Sequence, residues 1–419
     1  MFKHLEEAQK WIESVHRFGD KYDLVRMEKA CEMLDYPQHT FKSIHVGGTN
    51  GKGSTVTYLK QIYLESGYSV GTYTSPYIVR FNERITLNNE EISDDELLYY
   101  INFIYDFDQQ YLAKENDQIS FFELVTLMSF LYFKDKQPDI VIVEVGLGGT
   151  LDATNVILPV ASVITNIGYD HMNILGKTLD SIAKNKLGIV KENIPLITSV
   201  DQEELFPLFE ATTQAKNSKY IHLKDYPIEN LHLGLPTTFT FLGMDFTLNM
   251  AGIHQVYNAT LAVLTAYTLH HDNLFAVTKA GMIRAIKQAF WPGRFEVFGN
   301  IIIDGAHNEQ GLRACLNTVK AYYPERHVKS LFTVMADKDY SPMLSMLEKE
   351  VDEIIFTEIN YPRCEKAKTL YDLSNHKNKR SIKDFKEAFK EAKPDSDLEL
   401  LIITGSLYFI SEVRKLLKG

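Results

Sequence analysis

Cysteine is scarce in this chain: Cys31, Cys315 and Cys364 are the whole supply. Three widely spaced thiols, odd in number and without metal-ligand spacing, argue against a disulfide framework or a zinc ribbon. They fit reduced thiols in a cytosolic protein. Long hydrophobic runs are also missing. No stretch is long enough to span a bilayer, and the segment from Met1 to Trp11 is charged and amphipathic, without the apolar core of a signal sequence. Positive charge is in the minority, with 44 Lys plus Arg against 55 Asp plus Glu and a formal charge of -11. That balance argues against general nucleic-acid binding, yet allows a small anionic substrate in a local basic pocket. Internal repeats and low-complexity segments are absent.

What the chain does have is length and alternation. Its 419 residues, 45% hydrophobic and 24% charged, suit a globular protein of two domains. Strands are expected at residues 42–46, 68–73, 140–145, 160–167 and 195–200, with helices at 54–66, 94–108, 121–133 and 258–270 between or after them. Ile140 to Val145 is an apolar run interrupted only by Glu144, as expected of a buried central strand. Thr237 to Phe241 and Met244 to Leu248 flank Leu242-Gly243 as a small antiparallel hairpin. A second cycle follows, with strands at 301–303, 328–334, 353–356 and 398–403. The basic stretch from Asn375 to Lys383 reads as a solvated loop or helix start. Trp291-Pro292-Gly293 breaks helix and serves as the linker. The expected fold is α/β: a P-loop-type, doubly wound, mostly parallel sheet domain over residues 1–293, then a smaller Rossmann-like α/β domain over 297–419.

Residues 47–55 read GGTNGKGST between an expected strand and an expected helix. Glycines allow successive N–H groups to curl around phosphate oxygens, and the helix N-terminus adds its positive dipole end. Lys52 supplies a point charge for the β- and γ-phosphates and Ser54 a hydroxyl. The spacing departs from the common Walker pattern, because Gly53 separates Lys52 from Ser54 and Val46 stands at the usual first glycine. Alone, the loop says that a nucleoside triphosphate binds. Further segments are polar where packing needs no polarity: YTSPYIVRFNERI (73–85), Glu144 inside IVIVEVG, GLGGTLDATN (146–155) and NIGYDHMNILG (166–176). Later ones are IAKNKLGIVK (182–191), HQVYNA (254–259), WPGRFE (291–296), DGAHN (304–308) and TGS (404–406). A carboxylate within an apolar strand is costly unless paired, so Glu144 suggests a metal ligand.

In their order, these segments resemble the folylpolyglutamate synthase and dihydrofolate synthase family, which is related to the Mur ligases of the bacterial cell wall. The resemblance implies a ligase joining L-glutamate to a folate or to dihydropteroate through an acyl phosphate, releasing ADP and phosphate. It implies that Gly48, Thr49, Asn50, Gly51, Lys52, Gly53 and Ser54 hold the ATP phosphates, and that Asn258, Arg294 and Asp304 contact the nucleotide. Ser75, Glu144 and His171 match magnesium ligands. Lys186 matches a lysine that is carbamylated in the family, an anion able to bind a second magnesium, and His307 helps to orient the reacting groups with Asn308. Phe121, Phe122 and Glu123, with Leu151, Asp152 and Ala153, match segments that hold the pterin. One departure stands out, since Thr150 occupies a position where many bifunctional relatives carry arginine. A cytoplasmic monomer with no nucleic-acid or membrane partner is expected. The alternatives are a Mur-type peptide ligase and a P-loop kinase. The first usually has a separate domain ahead of the phosphate loop, where this chain has 46 residues before Gly47. The second would leave a stable phosphorylated product.

Overall fold

The run at 140–144, apolar apart from Glu144, becomes a strand buried along its full length, and the rest of the first sheet assembles around it. This computed structural model describes residues 1–16 and 23–418, and the chain divides into two compact units. The first comprises Met1–Ile167, Leu175–Pro227 and Asn258–Ile286. The second comprises Gly168–Ile174, Ile228–Tyr257 and the chain from Lys287 onward. Residue 419, at the end of the expected second domain, lies outside the described residues.

The strands of the first unit are β1 (Ser43–Gly47), β2 (Val70–Tyr73), β3 (Ile85–Leu87), β4 (Glu90–Glu91), β5 (Ile140–Glu144), β6 (Ala161–Ile164), β7 (Leu196–Thr198) and β8 (Tyr220–His222). They form one sheet in the order β4-β3-β2-β5-β1-β6-β7-β8. The run from β2 to β8 is parallel, and β3 and β4 extend it antiparallel. Because β2, β5, β1 and β6 are parallel neighbours, Tyr73, Glu144, Gly47 and Ile164 end side by side. Ligands of open α/β sheets bind at such carboxyl ends. The helices Asp94–Glu115 and Phe121–Lys136 contribute Leu97, Ile101, Leu124, Met128 and Phe133 to a core with Val141 and Val143. Ser93 and Ser120 start these helices with capping boxes to Glu96 and Glu123.

In the second unit, β9 (Ile228–His232), β10 (Thr237–Phe241) and β11 (Met244–Leu248) form a small antiparallel sheet. The expected hairpin is its β10–β11 half; β9, with its exposed polar side chains, carries no periodic signal. The larger sheet holds β12 (Glu296–Phe298), β13 (Ile301–Ile303), β14 (His327–Phe332), β15 (Glu353–Glu358), β16 (Lys379–Asp384) and β17 (Glu399–Thr404). Its order is β12-β13-β17-β14-β15-β16, parallel apart from β12. Alternation along the strands divides the core by face. Ile302, Leu400, Ile402, Phe332 and Ile354 join one cluster, while Ile303, Leu401, Ile403, Leu331 and Ile355 join another.

The basic stretch from Asn375 to Lys383 is loop only in its first half, residues 375–378; contrary to expectation, residues from Lys379 form β16 at the sheet margin. Lysines and arginine suit a marginal strand, where charge discourages pairing with another chain. No helix among the described residues is long and apolar enough to cross a membrane.

Candidate active site

The phosphate loop leaves β1 at the carboxyl edge of the first sheet and enters the helix Lys52–Glu65. Two of its glycines are fixed by conformation and by space. Gly48 has φ +141, and a Cβ there would lie 1.9 Å from Thr165 Oγ1. Gly51, the helix N-cap, has φ +82, and its Cβ would lie 2.3 Å from Asn258 Oδ1. The expected nucleotide residue Asn258 therefore packs on the loop itself. The neighbouring strand end clamps the other side. Thr165 Oγ1 donates to Asn50 O at 2.6 Å, Asn50 N to Asn166 Oδ1 at 2.8 Å, and Thr49 N to Asn166 O at 3.0 Å. Lys52 Nζ lies over the loop, donating to Gly48 O at 3.2 Å and Thr49 O at 3.1 Å. Ser54 is buried in the first helical turn. Asn166 opens the polar NIGYDHMNILG segment, but Thr165, which clamps the loop beside it, does not stand out in the sequence, since a threonine at a strand end has no distinctive pattern.

Glu144 and Ser75, from adjacent strand ends, do come together: Ser75 N donates to Glu144 Oε2 at 3.2 Å. Lys186 ends the helix Leu179–Lys186, is buried, and donates from Nζ to Gly48 O at 2.8 Å. The 146–155 segment wraps this lysine. Thr150 N and Oγ1 both donate to Asn185 O, at 2.8 and 2.9 Å. A Cβ on Gly149 would meet the carbonyl oxygens of Asn185 and Lys186 at 2.7 Å. Asp152 is buried, and its carboxylate accepts from Leu147 N at 2.7 Å, from Thr154 N at 3.0 Å and from the Thr154 hydroxyl. Burial pushes its pKa up, against the pull of those hydrogen bonds. Leu151 is half-buried beside it, and Ala153 opens the short helix Ala153–Val156.

Phe122 packs on the strand end, since a Cβ on Gly146 would lie 2.3 Å from its ring. Glu123 is turned inward, its two carboxylate oxygens accepting from Arg26 Nε at 3.2 and 3.1 Å. Phe121 faces Arg84, an arginine that in the sequence looks like one more polar residue of a loop. Arg84 is 7% exposed, and its guanidinium carbon lies 5.1, 5.4 and 5.6 Å from the ring centres of Tyr77, Phe81 and Phe121.

The second unit carries its own group at the carboxyl ends of β13, β17 and β14. Gly405, with φ +103, sits where a Cβ would be 2.0 Å from Thr333 O, and its N–H donates to Ala306 O at 2.9 Å. The TGS segment thus holds the DGAHN loop in place. Asp304 is buried, accepting from Phe295 N and Ala306 N at 2.8 Å each. Burial raises its pKa while the Arg294 charge pulls it down. His307 Nδ1 is 3.0 Å from Gly305 O, and its Nε2 is 3.7 Å from Asp170 Oδ2. Asp170 gathers further partners: Lys338 Nζ at 2.6 Å, Asn308 Nδ2 at 3.2 Å and His171 N at 2.8 Å. Burial alone would raise this carboxyl; the nearby His307 imidazole and the Lys338 charge outweigh it and hold it well below the usual carboxylate range. His171 belongs to this unit with φ +50, its Nε2 3.4 Å from Lys338 Nζ. Lys338 carries no recognisable motif in the sequence. No group of three or more His, Cys, Asp or Glu side chains is gathered among the described residues as a metal cage. A serine with one carboxylate nonetheless fits magnesium, which is held by one or two carboxylates together with substrate phosphates.

Residues 46–266 match the Mur ligase middle domain, and residues 293–407 match the Mur ligase glutamate ligase domain. A phosphate loop at a parallel sheet edge, followed by a second α/β domain of this kind, defines the class as Mur ligases. The chain is 38% identical over 431 residues to dihydrofolate synthase/folylpolyglutamate synthase from Bacillus subtilis, covering 100% of both chains. It is 31% identical to folylpolyglutamate synthase from Lacticaseibacillus casei, covering 99% of this chain and 98% of that one. The solved structure of folylpolyglutamate synthase from Thermotoga maritima matches with TM-score 0.87 and 31% identity, over 99% of this chain and 97% of that one. A folylpolyglutamate synthase complex with AMPPCP and folate matches with TM-score 0.87 and 29% identity, over 99% of this chain and 100% of that one. The chain belongs to the folylpolyglutamate synthase/dihydrofolate synthase family.

Proposed function

We propose that this chain is an ATP-dependent ligase that adds L-glutamate to folates. The observation that carries the reading is the phosphate loop under Lys52, beside Glu144 and Ser75 at one sheet edge. The loop N–H groups and Lys52 hold the triphosphate with its γ-phosphorus open to attack. An oxygen of the acceptor carboxylate attacks that phosphorus, and the bond to the bridging oxygen breaks, giving an acyl phosphate and ADP. The glutamate amine then attacks the acyl carbon, loses a proton and expels phosphate, leaving the amide. His307, oriented by Gly305 O and Asp170, is suited to position the amine and take up that proton. Ser75, Glu144 and His171 would hold magnesium, and Lys186 in carbamylated form would hold a second ion; these ions supply charge neutralisation at the phosphates. Asn258, Arg294 and Asp304 form the remaining nucleotide contacts. Phe121, Phe122 and Leu151 line the acceptor, while Glu123 and Asp152, their carboxylates bonded inward, shape the segments that do so.

The same proposal extends to both reactions, the first glutamate on dihydropteroate and later ones on tetrahydrofolate. Thr150 is exposed and bonded to the backbone, so its missing positive charge bears on substrate preference and not on folding. A functional division into 1–293 and 297–419 and a cytoplasmic, monomeric enzyme complete the reading; sedimentation checks the last point. The deciding experiment measures glutamate-dependent phosphate release with each acceptor in turn. Turnover with both supports a bifunctional enzyme, and turnover with tetrahydrofolate alone restricts it to extension. Turnover with neither sinks the ligase reading. Carboxylate-labelled acceptor is expected to pass one labelled oxygen to the released phosphate; unlabelled phosphate would exclude the acyl phosphate.

A further inference from the structure

Three arginines of the described chain are buried to nine-tenths or more: Arg26, Arg84 and Arg414. Two of them have the partner that such burial demands. Arg26 meets both carboxylate oxygens of Glu123, and Arg414 meets both of Glu296, at 2.8 and 3.2 Å. Arg84, equally buried, has no carboxylate and no side-chain hydrogen bond among the described residues, and its Nε is wholly enclosed without a partner. Guanidinium stays charged at any working pH, and a buried charge left unpaired is among the costliest features a fold can keep. The rings of Tyr77, Phe81 and Phe121 offset part of that cost through their π faces. They cannot accept the in-plane N–H groups, whose fork matches one common partner, a carboxylate bound through both oxygens.

The location narrows what that carboxylate is. Arg84 O accepts from Thr74 N at 2.9 Å, which ties the arginine to the residue before Ser75, and Ser75 N is bonded to Glu144. On its other side stands Phe121, which opens the helix expected to line the acceptor. The buried Tyr73 phenol feels the charges of Arg84, Asp152 and Glu144 together, so these groups share one neighbourhood. Arg84 thus lies where the acceptor-lining segment meets the proposed phosphate and metal corner, and an acceptor lying along that segment presents its carboxylate there.

We propose that Arg84 is a substrate-binding residue whose guanidinium grips the acceptor carboxylate that is to be phosphorylated, an inference that rests on the ligase reading above. The grip fixes one face of the carboxylate and leaves an oxygen lone pair for the γ-phosphorus. Calorimetry in the presence of AMPPCP tests it, with folate and its γ-carboxamide counterpart as probes. Wild-type protein is expected to prefer folate over the carboxamide. Arg84→Gln is expected to lose about tenfold to a hundredfold in folate affinity, while its affinities for the carboxamide and for AMPPCP stay at the wild-type level. Unchanged folate binding, or an equal loss for both probes, overturns the role of Arg84. If Arg84→Gln fails to fold, Arg84→Lys decides, since it keeps a cation among the rings without the fork. It is expected to raise KM for folate with KM for ATP unchanged, and a wild-type KM overturns the proposal. Wild-type protein that binds neither probe and turns over no acceptor refutes the ligase reading itself, an outcome distinct from failure of the arginine alone.

Discussion

At the scale of single residues, two positions make quantitative demands. Gly48 combines φ +141 with a would-be Cβ contact of 1.9 Å to Thr165. Gly48→Ala must therefore displace either the loop or the end of β6, both of which carry the bonds that shape the phosphate cradle. ATP affinity is expected to fall by at least about tenfold at a stability cost of roughly 1–3 kcal/mol; calorimetric titration with AMPPCP reads the first and urea denaturation the second. His45 makes a demand of another kind. Burial, with the Lys191 charge adding to it, lowers its pKa to about 3, and burial with Arg294 lowers that of His254 to about 4. Both stay neutral in the native state at pH values where the unfolded chain binds a proton. Their depressed pKa values contribute stability that is complete above about pH 6.5 and is lost as pH falls towards 4 and 3. Between pH 6.5 and 5, where most carboxylates remain ionised, His45 should cost about 1.5 kcal/mol. His45→Asn is expected to remove that share of the slope. Denaturation curves across this window would refute the assignment if wild type and variant ran parallel.

At the scale of elements, the ends of strands and helices carry the chemistry, and they are also where the sequence spoke unevenly. The continuous run at 140–144 announced a buried strand, and Glu144 within it stood out because burial makes a lone carboxylate anomalous. Gly48 and Gly51 were legible because only a loop that curls needs them. Arg84 was not legible: an arginine in a mixed polar and aromatic segment looks solvated until three rings close around it. Lys338 and Asp170 are separated by 168 residues, and no local pattern encodes their pairing. β16 was misread because marginal strands favour the same lysines as solvated loops. The helix Phe121–Lys136 shows what such long-range pairing is worth. Its first turn is held by Glu123, which accepts from Ser120 N at 2.8 Å and from Arg26 on the helix Val25–Met33. Glu123→Ala takes from Arg26, at 4% exposure, the carboxylate that meets it through both oxygens and leaves the longer 3.8 Å pair with Asp117, so a loss of about 3 kcal/mol is expected. Pairing it with Arg26→Met should recover most of that loss, because an apolar pair avoids the uncompensated charge. Urea denaturation of the single and double variants measures the difference; no recovery would mean that the ion pair sets the helix position by geometry and not by charge balance.

At the scale of the whole molecule, each compact unit has its own cores, the first built on the helices over its parallel sheet and the second on both faces of β13, β14, β15 and β17. The order of motifs along the chain revealed this two-part plan. It could not reveal that residues 168–174 and 228–257 belong to the second unit, because a chain that leaves a domain and returns to it keeps no mark of the detour in its local pattern. The phosphate loop, its clamp on Thr165 and Asn166, and Lys52 all lie within the first unit. Nucleotide binding is therefore expected to appear as linkage to the stability of that unit. At one hundred times its dissociation constant, a ligand that binds the native state alone stabilises it by about 2.7 kcal/mol. For a unit of this size that amounts to roughly 5–10 °C in Tm. Scanning calorimetry with and without AMPPCP should show that rise in wild-type protein. Lys52→Ala removes a charge that bonds only Gly48 O and Thr49 O among the described residues, so its ligand-free Tm should stay close to wild type while the AMPPCP-dependent rise at the same concentration shrinks. A variant that melts early without ligand but keeps the full rise would make Lys52 a brace for the loop instead of a phosphate ligand.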